Sequence, residues 1–73
     1  MKFVFAAFKS RKDALAYAEQ MMSVGVRVKV VSTPSKVGSS CGLSVKFRAV
    51  DGRMAQRVLS RGEYATFLGF FEE

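Results

Sequence analysis

An α+β sandwich of βαββαβ connectivity is the fold this sequence predicts. Three observations point to it. Residues 26–31 and 43–48 alternate apolar and polar with period two, the mark of half-buried strands. Residues 14–22 and 54–59 carry apolar side chains at helical spacing. The chain also opens and closes on phenylalanine-rich runs of high strand propensity. In 73 residues this order is met most simply by one ferredoxin-like domain spanning residues 1–73. Its sheet would be four-stranded and antiparallel, of order 4-1-3-2, with both helices on one face.

The elements follow in order. Residues 2–8 form the first strand, with Phe3, Val4, Phe5 and Phe8. Ser10 stands three residues before Asp13, close to a capping box, in which the hydroxyl takes an orphan backbone N–H. The helix that follows has Ala14, Leu15, Ala18, Met21 and Met22 as its apolar stripe and Tyr17 at its flank. Gly25 ends it in the left-handed conformation. Val26, Val28 and Val30 alternate with Arg27, Lys29 and Val31 in the second strand. The loop Thr33–Gly42 holds the only proline and the only cysteine. Leu43, Val45 and Phe47 then alternate with Ser44, Lys46 and Arg48. Asp51 is placed to cap a short helix bearing Met54, Ala55, Val58 and Leu59, which Gly62 ends. Residues 64–71 make the last strand.

Composition narrows the chemistry. A chain this short buries only about 60% of its unfolded surface, so its stability margin is thin. One cysteine rules out a disulfide within the chain, and with no histidine there is no ligand set for a metal. No cofactor motif is present, and the Ser/Gly loop lacks the Gly-Lys-Ser/Thr element of a phosphate loop. The core therefore rests on apolar packing, for which a hydrophobic fraction of 49% is sufficient. The lone thiol suits a reducing, cytoplasmic setting. The apolar run at 3–8 stops at Lys9 and is too short to span a bilayer. A net charge of +6 favours acidic partners without choosing among them.

In the predicted topology the 33–42 loop lies at the same end as Phe8, Lys9, Ser10, the start of the first helix and Arg61. A helix N-terminus carries about half a positive charge, and Lys9, Arg11, Lys12 and Lys36 add full ones. Together they favour thiolate over thiol and predict a lowered pKa at Cys41. The Ser39-Ser40-Cys41-Gly42 backbone could form an anion-holding nest, with Gly42 permitting a positive φ. Against this stands the burial preference of cysteine. Cys41 shares parity with Leu43, Val45 and Phe47 and on that count points into the top of the core.

The stretch Pro34-Ser35-Lys36-Val37-Gly38-Ser39-Ser40-Cys41-Gly42-Leu43, with Asp13-Ala14-Leu15 at the helix start, resembles a family of small bacterial selenium/sulfur carrier-like domains. Val37-Gly38 departs mildly from it, a serine being commoner near there. The resemblance implies that Cys41 accepts a persulfide sulfur from a cysteine desulfurase and passes it to an acceptor protein. It implies further that Lys36, Lys9 and Arg11 stabilise the anion, and that Ser39, Ser40 and Gly42 donate hydrogen bonds to it. Such a chain is a covalent carrier more than an enzyme. It has no histidine and no paired carboxylates to act as a general base.

The open sheet face offers a second reading. Arg27, Lys29, Ser44, Lys46 and Arg48 should lie there as a solvated basic surface, able to serve a non-catalytic binding module for an acidic protein or RNA. The RNA-recognition pattern is not reproduced, and Phe47 has core parity, so nucleic acid is the weaker choice. Phe3, Phe5, Phe8 and Phe70 or Phe71 do not all fit one small core, which leaves self-association open. Basic residues on the central hairpin argue against a tight apolar sheet-to-sheet dimer, and the edge strands remain candidates for pairing.

Overall fold

A computed structural model describes residues 2–33 and 42–72. Its elements are β1 (Phe3–Phe8), α1 (Arg11–Ser23), β2 (Val28–Ser32), β3 (Leu43–Arg48), a 3-10 turn at Ala49–Asp51, α2 (Gly52–Arg61) and β4 (Phe67–Glu72). The four strands form one antiparallel sheet of order β2-β3-β1-β4, the predicted order read from the other edge. Ala6, Phe8, Val45 and Phe47 of the sheet cluster with Ala14, Tyr17, Ala18 and Met21 of α1 and Ala55 and Val58 of α2. Both helices therefore cover the same sheet face, and the fold is the expected ferredoxin-like sandwich.

The start of α1 is tied to the start of β4. Ser10 Oγ accepts from the Asp13 N–H at 3.4 Å, as a capping box requires. The return half of the box runs through a third residue. The Ser10 N–H donates to Thr66 Oγ1 at 3.1 Å, and the Thr66 hydroxyl and N–H both donate to Asp13 Oδ2, at 2.6 and 3.2 Å. The Lys9 N–H adds a bond to the Thr66 carbonyl at 2.9 Å. At the other end, Val26 N–H reaches the Met21 carbonyl and Gly25 N–H the Met22 carbonyl, with Gly25 at φ 86. This is a Schellman stop in the left-handed position expected for Gly25.

The buried stripe of α1 differs from the expected one. Tyr17 is fully buried with Ala14, Ala18 and Met21, whereas Leu15 and Met22 are 48% and 55% exposed. Positions 14, 17, 18 and 21 fall on one row of turns, while 15 and 22 fall on the next. Alanine at 14, 18 and 55 leaves room for the Tyr17 ring between the helices and the sheet. Its hydroxyl donates to the Ala55 carbonyl at 2.8 Å, so the buried phenol has a partner.

Burial, and after it the charge of Tyr64, holds the Tyr17 phenol protonated well above its usual range. The folded state thus binds this proton more tightly than the unfolded chain, where tyrosine titrates near about 10. The associated stability is complete below that pH and is lost as pH rises toward the native value. Urea midpoints should fall as pH rises above about 10, and the fall should be shallower in Tyr17→Phe.

Two further elements depart in detail. Asp51 stands at the head of α2, yet its side chain makes no capping bond and lies 3.8 Å from Arg48 Nε. The last strand begins at Phe67 and not at residue 64, because Tyr64 turns inward and Thr66 serves the α1 cap. Between Ala7 and Phe8 the β1–β4 register shifts, which bulges Leu68 out to 43% exposure.

Candidate functional site at the Thr33–Gly42 loop

The base of the loop is closed by the sheet itself. The Thr33 N–H donates to the Gly42 carbonyl at 3.2 Å, and Ser44 Oγ donates to Thr33 Oγ1 at 3.1 Å. Ser44 is fully buried, so it is not the solvated residue its alternation suggested. It spends its hydroxyl on Thr33, just past the end of β2, instead.

Gly42 is where the structure is tightest. A Cβ here would land on the Phe8 carbonyl oxygen and stand 3.1 Å from Thr33 Oγ1. The glycine is thus needed for close approach to the end of β1, where Leu43 pairs with Phe8. A positive φ is not the reason. Among the described glycines only Gly25 and Gly69 have one, so the expected nest geometry at Gly42 is not found.

Lys36, Ser39, Ser40 and Cys41 lie outside the described residues, and with them the expectations about the accessibility and pKa of Cys41. Of the other predicted site residues, Lys9 follows Phe8 directly and Arg11 opens α1; both are exposed, as is Lys12. Gly42 therefore abuts the strand end from which these cations follow, as the topology predicted. Arg61 ends α2 and is exposed; beyond it Tyr64 packs edge-on to Phe8 with ring centroids 5.7 Å apart.

The α1 N-terminus is not a bare positive end. The Asp13 carboxylate occupies its first turn and accepts twice from Thr66. The Tyr64 phenol is raised by burial and then by the Asp13 charge. Positive potential at this end comes chiefly from the exposed side chains, since Asp13 offsets the helix dipole. Thr66 escaped sequence reasoning because a threonine inside an aromatic strand run carries no signal of its own.

A small α+β sandwich with one cysteine in its sequence, in the segment joining β2 to β3, and with exposed cations following the strand end that Gly42 abuts, defines a class of one-cysteine domains. The profile of the family described as Putative Se/S carrier protein-like matches residues 3–67, and the chain belongs to that family. No curated protein and no solved structure matches it. Among the described residues no helix is long and apolar enough to cross a membrane.

Proposed function

We propose that the chain carries sulfur or selenium as a persulfide or selenopersulfide on Cys41. The observation that carries this reading is the family match, which runs through the loop from Pro34 to Gly42. The step is a simple exchange. The Cys41 thiolate attacks the terminal sulfur of a donor cysteine persulfide; the donor S–S bond breaks and a new one forms on Cys41. The donor cysteine leaves as thiolate, and the terminal sulfur keeps its proton. No net oxidation occurs, and a second exchange of the same kind delivers the sulfur to an acceptor thiolate.

Two features support the reading. There is no second cysteine to displace the cargo as an intramolecular disulfide. Lys9 and Arg11 are exposed, beyond the strand end against which Gly42 is packed, and Lys36, Ser39 and Ser40 belong to the loop itself. Cations stabilise a sulfur anion, and hydroxyls or backbone N–H groups donate to it. The donor is a cysteine desulfurase and the acceptor a second protein, in the cytoplasm. The test is intact mass after incubation with a cysteine desulfurase and cysteine. A gain of one sulfur atom is expected, reversed by thiol reductant and absent in Cys41→Ser. An unchanged mass would sink the proposal.

A further inference from the structure

The sheet face turned away from the helices is not a uniformly solvated basic plane. Strand partners share a face. The register sets Phe3 opposite Arg48, and Phe5 between Lys46 and Phe71. Lys46 in turn stands opposite Lys29. Phe5 is only 8% exposed although it lies outside the helix-side core. Lys46 Nζ sits 4.5 Å from the centre of the Phe3 ring and 5.7 Å from that of Phe5.

Two lysines directly opposite each other weaken a strand pair. Arg27 and Arg48 join them around a hollow of about 420 Å³ with Phe3 in its wall. Within this rim Arg48 also meets Asp51 at 3.8 Å. A concave basic site with aromatic walls attracts carboxylates and accepts an apolar side chain beside them.

We infer that this face docks an acidic segment of the protein with which the chain exchanges sulfur. The carboxylates lie between Lys29, Lys46 and Arg27, and an apolar side chain rests on Phe71. The identity of that partner rests on the carrier function proposed above; the chemistry of the face does not. Nucleic acid fits less well, because Phe5 and Phe47 are buried and Lys46 already covers Phe3, leaving no pair of free rings for base stacking. A second copy fits less well still, since a two-fold contact sets the same cations against each other. From Lys46 to Gly42 the chain runs about 13 Å along β3, at roughly 3.3 Å per residue, so a docked partner stays close to the thiol loop.

The experiment compares the wild type with Lys29→Glu, with the Lys29→Glu/Lys46→Glu pair and with Arg53→Glu on α2 as control. Binding to a cysteine desulfurase is measured directly, and sulfur uptake by intact mass. Uptake from glutathione persulfide serves as the docking-free donor. Charge reversal is expected to weaken desulfurase binding and slow loading by about tenfold or more. Loading from glutathione persulfide stays unchanged, and Arg53→Glu alters neither. Lys29→Glu turns the like-charged pair into an opposite one and keeps the test open should the double variant fail to fold. Equal binding and loading by the reversed chains would overturn the docking face while leaving the carrier function standing. Wild-type Cys41 that takes sulfur from neither donor overturns the carrier function, and desulfurase binding lost on reversal then still upholds the face. Tighter binding of a labelled single-stranded oligonucleotide, or a dimer that dissociates on reversal, overturns the choice of an acidic protein.

Discussion

Gly42→Ala is expected to lower stability by about 3 kcal/mol, the upper part of the range for forcing one extra carbon into a packed site. The added Cβ meets backbone, the Phe8 carbonyl carbon at 3.3 Å and its oxygen closer still, and no side-chain rotation relieves that. Relief requires β3 to draw away from the end of β1, which breaks the Phe8–Leu43 pairing. The bond between Thr33 and the Gly42 carbonyl would strain with it. For a domain of this size, about 3 kcal/mol corresponds to a melting temperature lower by roughly 12–24 °C. Gly52→Ala is the matched control. It has open space around its Cα at the first position of α2, and alanine there should be neutral or stabilising by up to about 1 kcal/mol. Urea melts of the two variants test the contrast, and comparable stability in both would show that Gly42 is not held by contact.

The fold was legible because each element announces itself locally. Alternating valines on one side of the loop and Leu43, Val45 and Phe47 on the other fix the hairpin, and Gly25 marks the stop of α1. Side-chain roles that depend on distant residues were not legible. Asp13 and Ser10 lie in view of each other in the sequence, yet their box is completed by Thr66, more than fifty positions away. Tyr17 reads as a flanking residue until Ala14, Ala18 and Ala55 are seen to open a slot for its ring.

The candidate site was legible in part. Chain order alone put Gly42 at the end of β1, but the reason for the glycine was misjudged. Positive φ is a local property that sequence habit suggests, while contact with the Phe8 carbonyl exists only once β3 has paired. The second sheet face was underread for a different cause. Phe3 and Phe5 share a parity opposite to that of Phe8, so they had to point away from the helices. Counting them as one apolar run with Phe8 hid the aromatic content of that face. The structure divides the phenylalanines cleanly: Phe8, Phe47, Phe67 and Phe70 serve the helix-side core, while Phe3, Phe5 and Phe71 do not.

Phe8→Ala should be the most damaging of the core substitutions, at about 3–5 kcal/mol. The side chain is fully buried, with ring centroids 5.2 Å from Tyr17, 5.7 Å from Tyr64 and 5.4 Å from Phe67. One truncation therefore removes the common partner of an aromatic group contributed by α1, β4 and the turn before β4. Stability of roughly 0.05–0.15 kcal/mol per residue gives a chain of 73 residues about 4–11 kcal/mol in all, so the variant sits near or beyond its folding limit. The cavity also adjoins both tyrosines, and water entering it removes the burial that raises their phenols. Where the variant still folds, ultraviolet titration should show tyrosine ionising nearer its ordinary range than in the wild type. Phe8→Leu keeps most of the apolar volume and should cost less, about 1.5 kcal/mol or below. Phe3→Ala separates this mechanism from a general loss of aromatic surface. Its ring lies on the opposite face, partly exposed beneath Lys46, and its removal should cost about 1 kcal/mol and leave the tyrosine titration unmoved. Equal destabilisation by Phe3→Ala and Phe8→Ala would mean that the two faces share one core, against the division the register imposes.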